Sequence, residues 1–299
     1  MFSAYPTRGN AIFSVNQLMP LRIYKKMSAK LKKVFRLLSV PLILILSVAV
    51  YINTLGNSFV YDDYSTIVNN EFIKDWQHIS QFFSIDYFWG SDEASYRPIV
   101  TFSYLVDYSI WHLNPMGYHL TNLIIHIINA VLFYAFINLI FKDFAVSLIS
   151  TLFFIAHPAI AETVNGISYR EDMLCCLFML SSIISFVKLS ELIGNKSCHK
   201  DMPTPGNPFP IRSFPMPSWR GKVAVGITYA ISLIFYFFAL FSKEMAITLP
   251  LLLVLVVLYL KPQNRLSHAN KILCLSGYLF ITLFYLYIRF IVLCPKDMQ

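Results

Sequence analysis

Residues 118–141 read YHLTNLIIHIINAVLFYAFINLIF, 24 consecutive positions without one Asp, Glu, Lys or Arg. At about 1.5 Å per helical residue this stretch covers the ~30 Å hydrocarbon core of a bilayer with length to spare. A helix is also what lipid demands, because it satisfies its own backbone N–H and C=O groups. Working outward, apolar runs at 37–55, 144–161, 172–190, 223–241, 245–260 and 272–293 predict further spans, the 16-residue one barely long enough. The sequence therefore predicts an all-α, polytopic helical membrane protein of about seven transmembrane helices. Composition agrees: of 299 residues, 57% are hydrophobic and 13% charged, with a mean hydropathy of +0.58. Soluble domains carry about 25% charge and 45–50% apolar residues. A water-soluble enzyme and a disordered chain are both excluded.

The charges then orient the spans. Residues 1–36 hold eight basic residues and no acid, and the apolar run 37–55 follows. The run is long and no small-residue cleavage site follows it, so a signal anchor is expected rather than a cleaved leader; translation from Met27 would leave the pattern intact. With that basic segment cytosolic, 142–143, 191–222 and 261–271 also face the cytosol. Together with Lys188 these pieces hold 18 of the 24 basic residues but only three acids, Asp143, Glu191 and Asp201. The remaining 13 acids fall on the other side, Asp172 at a span end included. That is the positive-inside asymmetry of membrane proteins. The net charge of +8 is thus a cytosolic collar and not a nucleic-acid signature. Three regions result: a basic segment at 1–36, a transmembrane domain at 37–293 and an extracytoplasmic tail at 294–299. Within the domain, 56–117 is a large first extracytoplasmic loop. Loop 191–222 is a cytosolic linker with six prolines between Pro203 and Pro217. Segment 99–111, apolar but interrupted by Asp107, predicts a re-entrant or interfacial helix.

The residues able to carry chemistry gather on the extracytoplasmic side. Asp62 and Asp63 are adjacent carboxylates at a membrane surface, suited to a general base or a metal ligand. The bland alternative is a solvated acidic turn. Arg97 is one of only two basic residues in a loop with eight acids, and it suits a phosphate or carboxylate. A salt bridge to a loop acid is its alternative. His119, Asn122, His126 and Asn129 share one helix face at spacings of 3 and 4. The last three suit helix–helix hydrogen bonds, while His119 lies level with the Asp pair. His157, Glu162 and Arg170 form the next loop, with Glu171 and Asp172 as helix N-terminal charges. Lys243 and Glu244 fill the third, as caps or as a phosphate-binding pair. Arg289 sits toward the outer end of the last span, where it suits snorkelling. The cysteines Cys175, Cys176, Cys198, Cys274 and Cys294 make no CxxC or Cys/His spacing, so no metal site or disulfide framework is read. No Gly-rich phosphate loop, nucleophile elbow or HExxH motif occurs.

Six blocks occur in order. They are Phe59-Val60-Tyr61-Asp62-Asp63, Tyr96-Arg97-Pro98, Leu113-Asn114-Pro115 with Gly117-Tyr118-His119-Leu120, His157-Pro158 with Glu162, the Arg170 turn, and Ser242-Lys243-Glu244. Over about residues 50–260 the chain resembles the membrane domain of the transmembrane-and-TPR protein O-mannosyltransferases, within the GT-C glycosyltransferase superfamily. The resemblance implies a GT-C-like fold that takes mannose from a polyprenyl (dolichyl) phosphate and passes it to a protein Ser/Thr on the lumenal or periplasmic side. It implies Asp62 or Asp63 as base, Arg97, Arg170 and Lys243 as phosphate-side cations, and His157 and Glu162 as shapers of the site, with His119 and Glu244 as further candidates for substrate or phosphate binding. Inversion by direct displacement follows from one base without a covalent nucleophile. The expected membrane is the endoplasmic reticulum in a eukaryote and the plasma membrane in a prokaryote. No cofactor beyond the lipid-linked donor is implied, and a divalent metal is left open. Relatives continue into further spans and a TPR array, which this sequence lacks before Gln299; acceptor recognition is then absent or supplied by a TPR-bearing partner chain.

Two other classes compete. A non-catalytic truncated paralogue or assembly subunit would co-purify with a larger complex and transfer nothing. A transporter would carry charges near the bilayer midplane or paired broken helices, and neither pattern is visible here.

Overall fold

A computed structural model describes residues 29–84, 87, 96–198, 218–259 and 268–292. The expected basic segment up to residue 28, most of the Pro-rich linker (199–217) and the tail lie outside the described residues. Every regular element among the described residues is helical. The α-helices are α1 (Ala29–Tyr51), α2 (Pro98–Trp111), α3 (Pro115–Phe141), α4 (Phe144–Ala156), α5 (Pro158–Asn165), α6 (Arg170–Cys198), α7 (Ser218–Leu240), α8 (Leu249–Tyr259) and α9 (His268–Tyr287). Short 3-10 and π turns connect them.

Local chemistry sets the boundaries. Asn114 caps α3 by accepting the Met116 N–H, and Pro115 occupies the first turn where no donor is needed. Lys142 ends that helix in the left-handed region (φ 51°), after which Asp143 caps α4 through the Ala145 and Val146 N–H groups. His157 caps α5 through Nδ1.

Among the described residues, five helices are long and apolar enough to cross a membrane, or six if α4 and α5 count as one broken span. The expected count of seven is not supported as an exact number, because two of the seven segments are not single long helices. Segment 144–161 is not one straight rod: Pro158 lacks an N–H and disfavours helical geometry at His157, so α4 stops at Ala156 and α5 leaves at 58°. Segment 245–260 is a shorter apolar helix, Glu244–Tyr259, whose first turn is 3-10. Pro250 fits the first turn of α8, where its missing N–H costs nothing. The large hydrophobics of α8 and α9 that stay exposed, such as Leu251, Leu255, Phe280 and Leu283, are the surface that lipid covers.

Two cores divide the bundle. One joins α1, α2, α3 and α5, with Ile43, Tyr104, Leu123 and Val164 buried. The other joins α6 to α7, α8 and α9, with Ile183, Tyr236, Leu253 and Tyr278 buried. Helix α6 enters both, through Met173 and Leu174 in the first and Cys175 onward in the second. Its first turn, Arg170–Asp172, therefore stands at the junction of the two halves. At that end Tyr51 donates to the Ile155 carbonyl (3.0 Å), and the Ile99 N–H reaches the Phe241 carbonyl (3.3 Å). The opposite end is tied by Ser39 to Tyr134 (3.2 Å) and by Phe141 against Tyr259.

Candidate active site

The adjacent carboxylates part company. Asp63 is fully buried; its Oδ2 accepts the Val60 N–H (3.0 Å) and its Oδ1 the Ser168 N–H (2.8 Å). It pins the loop after α1 onto the turn before α6. With Asp63 turned inward, Asp62 is turned outward and exposed, and its carboxylate has no hydrogen-bond partner among the described residues. The Asp62 carbonyl accepts both the N–H and the hydroxyl of Thr66 (2.9 and 2.8 Å), which holds its backbone in place. Tyr61 before it lies in the left-handed region (φ 47°) with its ring almost wholly exposed, a costly conformation for a non-glycine residue.

Asp62 lines a cavity of about 210 Å³ together with Ser65, Thr66, Arg97, Ser168, Tyr169 and Glu171. Arg97 is placed by its neighbours. Tyr96 is buried edge-on against Phe241, and Pro98 opens α2, so Arg97 lies where α2 meets the end of α7. Arg97 Nη1 donates to Glu171, and Lys243 bonds the other oxygen of Glu171 at 2.9 Å and Asp172 at 2.6 Å. Glu244 lies between Arg97 (3.6 Å) and Arg289 (3.7 Å). Three cations and three carboxylates thus form one balanced chain across α2, α6, α9 and the α7–α8 connection.

Burial pulls the Lys243 ammonium down, but its hydrogen bonds to Asp172 and Glu171 and their charges outweigh that and hold its pKa above the ordinary value. Burial pushes the Glu244 carboxyl up, yet its own backbone N–H and the charges of Arg97, Arg289 and Lys243 hold it below. On the rim, Tyr169 is raised by the charge of Glu162 and by its hydrogen bond to that carboxylate, with Asp62 and Asp63 adding smaller effects.

Arg170 is not brought to the cavity. Its side chain is 0% exposed and pairs with Asp107 of α2 at 2.6 Å. It also donates to Asn122 Oδ1 (2.7 Å), the Tyr118 carbonyl (3.1 Å) and Ser103, and lies 4.7 Å from the centre of the Tyr104 ring. The cation expected to meet phosphate instead clamps α2, α3 and α6 together, because the apolar interior leaves its charge nowhere else to be satisfied. His119 is buried as well, with neither ring nitrogen hydrogen-bonded. His157 is an exposed cap and Glu162 an exposed acid reaching the site through Tyr169. Asn129 makes the expected interhelical bond, to the Met173 carbonyl. Asn122 bonds the Gly166 carbonyl in the α5–α6 turn and accepts from Arg170 of α6, and His126 Nε2 has no hydrogen-bond partner among the described residues. Glu171, Tyr169 and Arg289 belong to the site or its ion chain, although Arg289 read as a snorkelling cation and Tyr169 carried no role in the sequence. Glu171 and Asp172 looked like ordinary helix N-terminal charges; the lone acid interrupting 99–111 was the one sign of a buried partner for Arg170. Among the described residues, no group of three or more His, Cys, Asp or Glu is placed to hold a metal ion.

Fold and site define a helical membrane protein carrying an ionised cluster and a polar cavity at one end of its bundle. Over about half its length this chain is similar to curated protein O-mannosyl-transferases. The match is 35% identical over 156 residues for one from Caenorhabditis elegans, covering 49% of this chain and 22% of the relative. It is 36% over 152 residues for TMTC2 of Homo sapiens (48% and 18%). For TMTC3 of Mus musculus it is 34% over 155 residues (50% and 17%). Several relatives of one kind therefore share this likeness. The chain spans about a fifth of the length of the relatives it matches. No family model and no solved structure matches it.

Proposed function

We propose that this chain is the membrane core of a GT-C-like glycosyltransferase that moves mannose from a polyprenyl (dolichyl) phosphate to a protein Ser/Thr. The observation that carries the reading is the cavity lined by the unpaired carboxylate of Asp62 beside Arg97. In this scheme Asp62 takes the proton of the acceptor hydroxyl as its oxygen attacks the anomeric carbon. The bond from that carbon to the phosphate oxygen breaks in the same step, giving inversion. Arg97, with Lys243 behind Glu171, meets the charge that grows on the departing phosphate; fixed cations aimed at developing charge are an effective form of transition-state stabilisation. Asp63 is the positioning residue, because its carboxylate already holds two backbone N–H groups. The site end faces the lumen or periplasm, and the membrane is that of the endoplasmic reticulum in a eukaryotic cell. A TPR-bearing partner supplying acceptor recognition completes the scheme. The relatives' names support mannose transfer to protein, and the resemblance carried by the motif order is what points to the polyprenyl phosphate donor.

The test is transfer of labelled mannose from polyprenyl-phosphate mannose to a Ser/Thr peptide by the purified protein. Asp62→Ala is expected to lower the rate by about 10²–10⁴-fold, the usual worth of a positioned base. Equal rates in wild type and in Asp62→Ala would show the assigned mechanism to be wrong. A wild type that transfers nothing while co-purifying with a larger complex favours the assembly-subunit alternative.

A further inference from the structure

Arg289 is a cation for which the family motifs have no place. It lies in the π-helical turn Ile288–Val292 that closes the last span, an irregularity frequent at functional sites. Its Nη1 donates to Tyr285 (3.0 Å) and lies 3.7 Å from Glu244 Oε2. The other oxygen of that carboxylate lies 3.6 Å from Arg97 Nη2. Both separations exceed the ~2.7–2.9 Å of a charge-assisted hydrogen bond. Lys243, by contrast, is held at 2.6 and 2.9 Å by Asp172 and Glu171, and Arg97 Nη1 is engaged by Glu171. The loosely engaged cationic capacity of the cluster is therefore the pair Arg97 Nη2 and Arg289 Nη1, spanned by one carboxylate that is 40% exposed. Arg97 Nε is in addition buried with no hydrogen-bond partner.

We infer that Glu244 holds the place of a lipid-linked phosphate: Arg97 and Arg289 form the slot for the phosphodiester of the donor and for the polyprenyl phosphate monoester it becomes when mannose leaves, and Glu244 vacates the slot when either binds. The inference deepens the transferase reading and rests on it for the identity of the donor. The donor's phosphodiester offers two free oxygens, as a carboxylate does, and the monoester left after transfer offers a third to the two planar guanidinium forks. With Glu244 displaced, Arg97, Lys243 and Arg289 face only Glu171 and Asp172, so the slot regains positive charge. Its flank points to a lipid: Phe290 and Ile291 beside Arg289, and Met245 beside Glu244, are exposed apolar side chains. A polyprenyl tail lying along that flank keeps its apolar surface from water while its head reaches the arginines. The slot adjoins the Asp62 cavity through Arg97, which belongs to both.

The experiment titrates the whole chain in lipid nanodiscs with polyprenyl phosphate, and separately with inorganic phosphate. Wild type is compared with Arg289→Met, Arg289→Lys and Glu244→Gln, with unfolding temperature read for each. Arg289→Met is expected to weaken polyprenyl phosphate binding about tenfold or more, and Arg289→Lys to recover part of it. Glu244→Gln is expected to tighten binding, since the competing charge is gone. Inorganic phosphate is expected to bind at least about a hundredfold more weakly than the lipid, because it lacks the apolar tail. Wild-type affinity in Arg289→Met, or weaker binding in Glu244→Gln, overturns the slot, and equal affinity for the two phosphates overturns the lipid source. If Arg289→Met fails to fold, Arg289→Lys and Glu244→Gln decide. Binding needs no turnover, so the two readings fail separately. A wild type that binds but never transfers mannose sinks the transferase reading alone. One whose Arg289→Met variant binds and transfers normally sinks the slot alone.

Discussion

Removing Asp107 is expected to strand a cation in the middle of the protein. The Asp107 and Arg170 side chains are 4% and 0% exposed and meet at 2.6 Å. Breaking a buried pair from one side costs about 3–5 kcal/mol, because the remaining charge has lost its compensation without regaining water. Two features place Asp107→Ala toward the lower end. Arg170 keeps its bonds to Asn122 Oδ1 and the Tyr118 carbonyl, and it keeps the faces of Tyr104 and Tyr118. Against that, the Thr121 hydroxyl loses its acceptor, Asp107 Oδ1 at 2.8 Å. A loss of about 3 kcal/mol is therefore expected for Asp107→Ala, and about 1.5–3 for Asp107→Asn, which keeps an acceptor but no charge. The assay is unfolding of the detergent-solubilised protein in an SDS titration, run with Arg170→Met and the double variant. The double is expected to cost less than the sum of the singles by at least about 1 kcal/mol. A loss below about 1 kcal/mol for Asp107→Ala, or strict additivity, refutes the reasoning. So does an Arg170→Lys protein of unchanged stability that no longer binds polyprenyl phosphate, because Arg170 would then be a ligand-facing cation after all.

Asp63→Ala removes the acceptor of two backbone N–H groups and is expected to cost about 1–3 kcal/mol in the same titration; a variant with wild-type stability argues against the pin. Tyr61→Gly relieves a left-handed backbone at φ 47° and gives up an exposed ring, so stability should rise by roughly 0.5–1 kcal/mol after glycine's own entropy cost. A fall of that size contradicts the strain argument. Lys243 and Glu244 together set a pH window. The raised Lys243 contributes stability fully below its ordinary 10.5 and loses it as pH rises through the folded value. The lowered Glu244 contributes above its ordinary 4.5 and loses it as pH falls through the folded value. Unfolding temperature should be flat between those limits and fall outside them. Lys243→Met should flatten the alkaline limb and Glu244→Gln the acid one, and unchanged limbs in both variants would remove these groups from the account.

Helical spans were legible where hydropathy is a local property. Residues 118–141 form one helix as read, and α6 and α9 coincide with long apolar runs. The form of two segments was not legible: Pro158 bends 144–161 by 58°, and Glu244–Tyr259 opens with a 3-10 turn, where turn geometry outweighs apolarity. Within the site, Asp62, Arg97, Lys243 and Glu244 could be nominated because charges are rare in this chain, and the structure gathers them at one end. The same logic overreached at Arg170: a basic residue in a connecting turn looks solvent-facing until Asp107, 63 positions earlier, is packed against it.

Sequence alone determined that this is a helical membrane protein, that its scarce charges cluster by segment, and that about half of it is similar to protein O-mannosyl-transferases. Those properties sum over neighbouring residues, so no folding is needed to see them. Tertiary structure alone decided which of two adjacent aspartates faces the cavity, since that rests on whether the Ser168 N–H, 105 positions away, is within reach. It also decided that Arg170 is interior and that Arg289 shares Glu244 with Arg97. Electrostatic partners are chosen by distance in space, and in this bundle α6 brings the two halves close enough for the choice to be made.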